Sequence, residues 1–140
     1  MEAKCSVHKL IADVAPLSGG KVLLVRYRDT AKYDGQGGWF LPDDFLRHGE
    51  HPREAARRIL REQAGIDADG VALRHVESFG DGAWHLIFHH AVELPRPVPP
   101  VPGENVADAR WFPLGSLPPK QDVAHDGWAL DVLREILAQR

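Results

Sequence analysis

Apolar positions along the chain recur with two different periods, which predict strands and helices. Two runs rich in β-branched residues, 7–14 and 21–27, are typical of strands, and the turn-forming stretch 16–20 between them indicates a hairpin. A second hairpin is predicted for the runs 71–79 and 83–93, which a Gly-Asp-Gly stretch separates. Shorter strands are predicted at 39–41, where Pro42 ends the run, and at 110–113.

Helical spacing occurs in two places. Apolar residues recur every three or four positions over 52–64, Pro52 suits the first helical position and Gly65 ends the run, so a helix is predicted there. A second amphipathic helix is predicted from about Gly127. Between the second hairpin and the last strand, five prolines within 95–102 predict an extended connection. Strands on both sides of a central helix, with another helix last, indicate an α/β sandwich with a mixed sheet.

The predicted strand 83–93 also separates polar from apolar positions. Successive side chains of a strand point to opposite faces of the sheet. One face therefore carries Trp84, Leu86, Phe88, His90 and Val92, and the other carries His85, Ile87 and His89. His85 and His89 would stand about 13 Å apart along the strand, too far to share a metal ion.

Composition narrows the class of protein. A chain of 140 residues, 44% of them hydrophobic, is expected to form one domain over 1–140. Its one cysteine, Cys5, excludes an internal disulfide framework and a four-thiolate zinc site, and this favours a cytoplasmic location. We expect neither a signal peptide nor a membrane partner, since no apolar run approaches about 20 residues. An isoelectric point near 6.2 argues against binding to a nucleic acid polymer.

The stretch most informative about chemistry surrounds the helix predicted at 52–64. It contains an acidic lead-in at Asp43 and Asp44, a glutamate at Glu50, and the segment Arg58-Ile59-Leu60-Arg61-Glu62-Gln63-Ala64-Gly65-Ile66. This arrangement resembles the Nudix box, whose pattern is Gly, five residues, Glu, seven residues, then Arg-Glu-aliphatic-any-Glu-Glu-any-Gly-aliphatic. The resemblance extends over nearly the whole chain, because the strand pair before the box, the later hairpin and the final helix also lie where Nudix domains place them. It implies a Nudix-like α/β/α sandwich.

The resemblance also implies a chemistry. Nudix enzymes hydrolyse a phosphoanhydride bond in a nucleoside diphosphate linked to another moiety, and they use Mg²⁺ or Mn²⁺ held by helix carboxylates and a nearby backbone carbonyl. Phosphoryl transfer depends mainly on such positioning and charge neutralisation. By resemblance, Glu62 and Glu50 are the candidate catalytic and metal-binding residues.

This chain departs from the box at three positions. Asp44 replaces the first glycine, Ile59 replaces the glutamate after the arginine, and Gln63 replaces the second of the paired glutamates. An isoleucine can neither bind a metal nor accept a proton. The helix at 52–64 also carries four arginines against two glutamates, a net charge of +2, which disfavours divalent cations. The arginine stripe at 53, 57 and 61 would meet phosphate or an acidic partner. The alternative is a solvated helix face on which Glu54, Arg58 and Glu62 form exposed ion pairs.

Two functions therefore remain open. In the first, the chain keeps the Nudix fold with a degenerate metal site and binds a small nucleotide-like or phosphorylated ligand with weak or no hydrolysis. In the second, it is an active, divergent Mg²⁺- or Mn²⁺-dependent hydrolase whose metal site is rebuilt from Asp44, Glu50, Glu62 and Glu104.

Further candidates surround these residues. His48 and His51 flank Glu50 and would add nitrogen ligands suited to a transition metal, unless they are exposed or cap the helix. Arg58 and Trp39 are candidates for contacting the ligand. The sequence does not choose between a monomer and a homodimer.

Overall fold

The computed structural model describes residues 8–139, so Cys5 and the first residue of the predicted strand 7–14 lie outside the described part of the chain. The elements follow in the order β1 (His8–Ser18), β2 (Lys21–Tyr27), β3 (Asp43–Phe45), α1 (Pro52–Ala64), β4 (Ala72–Asp81), β5 (Ala83–Glu93), β6 (Val106–Pro113) and α2 (Ala124–Ala138). Short 3₁₀ turns lie at Ala31–Tyr33 and Lys120–Asp122.

The six strands form one mixed sheet. Its order is β4-β5-β1-β2-β6, with β3 paired to β1, and only the β1–β5 pair is parallel. On one face, Ala56 and Leu60 of α1 pack with Val14 of β1, and on the other, α2 packs on Ala15 and Leu17. The predicted α/β/α sandwich with a mixed sheet is confirmed. Neither helix in the described chain has the length and hydrophobicity needed to cross a bilayer.

Several predicted strand boundaries are wrong, and the strand predicted at 110–113 begins at Val106 in the structure. The first hairpin turn is not 16–20, because β1 continues to Ser18 and only Gly19 and Gly20, with φ of 55° and 74°, make the turn. β1 pairs with β2 only at Leu17 and Ser18, so Pro16 precedes this ladder and its missing N–H interrupts no bond with β2. The stretch 39–41 forms isolated bridges rather than a strand, and β3 begins after Pro42.

Helix α1 has the predicted bounds, Pro52–Ala64. His51 caps its start, since the ring Nδ1 accepts a hydrogen bond from the Arg53 amide at 3.1 Å. Gly65 ends it in the left-handed conformation, with φ of 68°. Helix α2 begins irregularly at 125–127, whose φ values are all positive, and regular helix follows, close to the start predicted at about Gly127. The proline-rich stretch 95–102 contains no helix or strand, as expected.

The end of the proline-rich connection closes the last turn of α1. The Val101 amide donates to the Ala64 carbonyl at 2.8 Å, and the Gly103 amide donates to the Gln63 carbonyl at 3.1 Å. These bonds satisfy carbonyl groups that a helix end leaves unpaired. A Cβ atom at Gly103 would collide with the Glu62 carbonyl oxygen, so only glycine allows this close approach.

Gly103→Ala is therefore expected to lower the free energy of unfolding by about 1–3 kcal/mol, because the added methyl forces the connection away from α1. Chemical denaturation measures the change. Gly115→Ala is the matched control, since a Cβ there meets nothing within 4 Å, and it should change stability by less than about 0.5 kcal/mol. Equal stability of the two variants would contradict the packing of 101–103 against α1.

Candidate functional site

Arg58 of α1 lies at the centre of a cluster of charged side chains, and its own side chain is only 5% exposed. Its Nε donates to Glu50 Oε2 at 2.8 Å and its Nη2 to Glu50 Oε1 at 2.9 Å, which is a bidentate pair. Nη2 also donates to the Phe45 carbonyl at 3.1 Å. The hydrogen bonds from Arg58 lower the pKa of Glu50, so this carboxylate stays ionised. The pair ties the loop before α1 to the helix.

The other two carboxylates around the helix are also paired with cations. Glu62 accepts hydrogen bonds from Arg47 Nη2 at 3.0 Å and from Arg58 Nη1 at 3.4 Å. Asp44 contacts Lys32 Nζ at 2.6 Å and Arg58 Nη1 at 3.6 Å. Three carboxylates thus meet three protein cations, and their charges balance locally.

Gln63 is a buried hydrogen-bonding group rather than an exposed one. Its Nε2 donates to the Asp43 carbonyl oxygen at 2.8 Å, and its Oε1 accepts from the Tyr27 hydroxyl at 2.8 Å. The Tyr33 hydroxyl donates to the same Asp43 carbonyl at 3.2 Å. Burial raises the pKa of both tyrosines, which keeps them protonated as donors. The Asp43 carbonyl is therefore held by protein donors.

Ile59 faces the sheet, and its side chain is 0% exposed. It packs with Ala12 of β1, Ala55 of α1 and the partly buried Leu46. The position is part of the apolar core, which explains why isoleucine suits it.

A cleft of about 610 Å³ opens on the sheet face that carries α2. Its floor comes from alternate residues of β1, β4 and β5 and from β3, and one wall contains Trp128 of α2. A smaller cavity of about 390 Å³ adjoins it and contains Glu62, Gln63 and Glu104. Lys32, Tyr33 and Asp44 line both spaces. A ligand in the cleft can therefore extend past Lys32 toward the end of α1.

A buried ionic network lies beneath the cleft. His89 Nδ1 is 2.7 Å from Asp13 Oδ2, and its Nε2 is 2.8 Å from Glu77 Oε1. Asp13 and His89 are both fully buried. Burial alone disfavours the imidazolium, but the charge and hydrogen bond of Asp13, together with Glu77, raise the pKa of His89 to about 9. His89 is accordingly charged at neutral pH and donates to both carboxylates.

Comparison with known proteins places this geometry in a family. The model of the NUDIX domain matches residues 7–132, which is most of the chain. The chain belongs to the Nudix family. A NUDIX hydrolase from Nitrosomonas europaea superposes with a TM-score of 0.75 at 18% identity, covering 95% of this chain and 91% of that one. The NUDIX domain of Shewanella oneidensis NrtR, solved with ADP ribose, superposes with a TM-score of 0.71 at 19% identity, covering 94% and 90%.

A curated relative gives a higher identity. The human 8-oxo-dGDP phosphatase NUDT18 is 32% identical over 104 residues, which are 70% of this chain and 30% of the human protein. The Nudix chain described here therefore spans about a third of the length of this relative and aligns with one part of it.

Nudix hydrolases generally use divalent metals such as Mg²⁺ or Mn²⁺, and the residues present fit such an ion poorly. Of the helix positions that the box reserves for carboxylates, Ile59 is in the core and Gln63 holds the Asp43 carbonyl with its amide. Glu62 is the one carboxylate left, and it is paired with arginines. Within residues 8–139, no group of three or more His, Cys, Asp and Glu side chains is arranged to hold a metal.

Several sequence-predicted site residues of this Nudix chain lie elsewhere than expected. The ligand-binding role predicted for Trp39 is corrected, because its ring is 5% exposed and packs against Phe112 in the core. Arg58 is also buried, and its guanidinium is held by Glu50, so it is neither an exposed ion pair nor free for a ligand. His51 is a helix cap, as one alternative expected.

The structure brings the carboxylates of the expected four-carboxylate metal site together in two overlapping groups. Asp44, Glu50 and Glu62 surround Arg58, while Glu104 lines the smaller cavity with Asp44 and Glu62. A guanidinium therefore lies among three of these carboxylates. Arg58 and Glu50 match the arginine and the glutamate of the box, so the departures that bear on a metal are those at Ile59 and Gln63.

Of the residues that line the cleft, the sequence indicates Asp44 but not Glu77 or Trp128. It also does not indicate Asp13, which lies buried behind Glu77 within a predicted strand. The one usable signal was the strand alternation, which placed His85, Ile87 and His89 on one face, and the parallel pairing with β1 confirms that face. His89 lies on a buried face and therefore requires a hydrogen-bonding partner, but the sequence does not identify that partner.

Proposed function

We propose that this Nudix domain binds a small nucleotide-like, phosphorylated ligand in the cleft, with weak or no hydrolysis. The observation that carries the proposal is the replacement of metal-binding groups by protein contacts around α1. Ile59 is in the core, the Gln63 amide occupies the Asp43 carbonyl, and Arg47 and Lys32 pair with Glu62 and Asp44. A site arranged in this way lacks the divalent ion that would orient water and neutralise a leaving phosphate.

The cleft supports the ligand class. A volume of about 610 Å³ falls within the range of small-molecule sites. Two aromatic side chains in its lining that are not buried, Phe79 and Trp128, suit a flat ring. The human relative is named for a nucleoside diphosphate, and the NrtR domain was solved with ADP ribose, which also carries a diphosphate. Both names agree with a nucleoside diphosphate moiety as the ligand.

Lys32 is the residue we propose for the phosphate groups. Its side chain is 47% exposed, and it lies between the cleft and the smaller cavity. An ammonium group has three donors, so Lys32 can keep its contact with Asp44 and still bind a phosphate oxygen. The positive charge would supply part of the attraction that a metal ion supplies in other Nudix proteins.

A second candidate function is a divergent metal-dependent hydrolase. It is favoured by one observation, that Asp44, Glu62 and Glu104 line the same small cavity. A metal there would compete with the arginines for Glu62, so this candidate predicts that metal addition changes the protein measurably.

The two functions differ in their dependence on metal. Purified protein is mixed with 8-oxo-dGDP, GDP, ADP ribose and nucleoside triphosphates, with EDTA or with excess Mn²⁺. We expect at least one of these nucleotides to bind equally well under both conditions by calorimetry, without release of phosphate or mononucleotide. Lys32→Gln should weaken binding of that nucleotide by about 10-fold, the loss of one charge-assisted hydrogen bond.

Metal-dependent hydrolysis that Glu62→Gln abolishes would instead establish the divergent hydrolase. Glu54→Gln is the matched control, because Glu54 is exposed on the same helix and lines neither cavity. If no nucleotide binds under either condition, the ligand-binding function is wrong.

A further inference from the structure

Glu77 is the one residue of the buried network that reaches the cleft. Its side chain is 33% exposed and lines the cleft, whereas His89 and Asp13 are fully buried behind it. Two donors fix its carboxylate, His89 Nε2 at 2.8 Å and Trp128 Nε1 at 3.3 Å. The carboxylate is therefore held in place before any ligand arrives.

Both donors bind the same oxygen, Oε1. A carboxylate offers about four acceptor positions, two on each oxygen. Among the described residues, the hydrogen bonds to Glu77 use the positions on Oε1, and the two on Oε2 are left for a ligand. An ionised carboxylate has no donor, so it attracts N–H groups and repels ring nitrogens or oxygens that are acceptors.

Aromatic and apolar side chains surround Glu77 in the cleft. Trp128 and His125 line one wall, with ring centroids 6.1 Å apart and ring planes at 80° to each other, and Phe40 behind His125 is buried. Ile11 and Ile87, which pair across β1 and β5, form an apolar floor. A planar heterocycle can pack on Trp128 or His125 with its edge toward Glu77.

We infer that Glu77 determines specificity for a nucleobase with two neighbouring N–H donors, as on the guanine ring. This inference rests on the proposed function, because it assigns the base of the proposed nucleotide ligand to the cleft. The N1–H and 2-amino groups of guanine point the same way, so both can donate to Oε2 as a shared acceptor. Hypoxanthine lacks the 2-amino group. Adenine has an acceptor at N1, which an ionised carboxylate repels.

The experiment compares GDP, IDP and ADP by calorimetry in EDTA. IDP differs from GDP only by the missing 2-amino group, so this comparison needs no mutation. We expect GDP to bind about 10-fold to 100-fold more tightly than IDP or ADP, the range for a hydrogen bond to a charged group. In Glu77→Gln the preference should disappear, since the new amide presents a donor beside its acceptor.

Two variants test the role of the carboxylate itself. Trp128→Phe keeps an aromatic ring but removes one donor to Glu77, so it should reduce the GDP preference less than Glu77→Gln does. Glu54→Gln, whose side chain lies outside the cleft, should keep the full preference. Thermal melts confirm that each variant is folded.

The outcomes separate this inference from the proposed function. If GDP, IDP and ADP bind with equal affinity, nucleotide binding stands and the inference is overturned. A preference for GDP that survives Glu77→Gln overturns the assignment to Glu77. If none of the three nucleotides binds, and the broader panel of nucleotides also fails, both the proposed function and the inference are wrong.

Discussion

Asp13→Leu is expected to lower the free energy of unfolding by about 3–5 kcal/mol, the usual effect of removing one partner of a buried ion pair. Asp13 and His89 are both 0% exposed, and their side chains meet at 2.7 Å. Without Asp13, Glu77 is the one carboxylate among the described residues that still contacts the His89 imidazolium, and the Nδ1–H group of His89 loses its acceptor. Urea denaturation of the wild type and the variant measures the loss.

Asp13→Leu combined with His89→Leu is the control for this effect. Replacing both buried partners by apolar side chains removes the unpaired charge, so the double variant should regain most of the stability that Asp13→Leu loses. Glu77 remains one-third exposed in this variant and can be hydrated. If Asp13→Leu costs less than about 1 kcal/mol, the buried ion pair is not formed as described.

The same pair gives a pH signature. The pKa of His89 is raised from an ordinary 6.5 to about 9, so its stabilising effect is complete below 6.5 and is lost as pH rises through 9. The groups facing it are Asp13 on β1, Glu77 and His75 on β4, and Trp128 on α2. Wild type should therefore lose up to about 3 kcal/mol of stability relative to the double leucine variant between pH 7 and 10.

The elements that the sequence predicted well are those set by local pattern. Helix α1 has its predicted bounds because the proline at its start, the helical spacing of its apolar residues and Gly65 at its end all act within a few residues. The two faces of β5 follow from the alternation of a strand alone. The family resemblance likewise depended on the box, a contiguous segment, and the matching domain model confirms it.

The site could be predicted only in part, because its contacts join distant segments. Asp13 and His89 are 76 residues apart and meet through the parallel β1–β5 pairing, which no turn signal specifies. The sequence shows that positions 59 and 63 lack carboxylates. It does not show which contacts Ile59 and Gln63 make instead. That Gln63 bonds to Tyr27 and to the Asp43 carbonyl depends on where β2 and β3 lie beside α1.

The largest effect is expected when the two lost carboxylates are restored together, by Ile59→Glu with Gln63→Glu. In EDTA this double variant should lose at least about 4 kcal/mol, or unfold. The carboxylate at 59 would lie among Ala12, Ala55 and Leu46, and that at 63 would face the Asp43 carbonyl with no proton between the oxygens. The same two groups would restore the carboxylate positions of the Nudix box beside Glu62, so Mn²⁺ should raise the melting temperature of the double variant.

The Mn²⁺ response of the double variant tests whether this fold can hold a metal once the two carboxylates are restored. At 100 times its dissociation constant, a metal that binds only the folded protein adds about 2.7 kcal/mol. Wild type should show no such response, because Ile59 and Gln63 provide no carboxylate. Ile59→Gln is the control, as it buries a polar group without a charge and should be destabilised with no gain from Mn²⁺.

An equal Mn²⁺ response in wild type would show that Glu62 and its neighbours already bind metal. A destabilised double variant without any response would mean that positions 59, 62 and 63 do not converge on the Asp43 carbonyl.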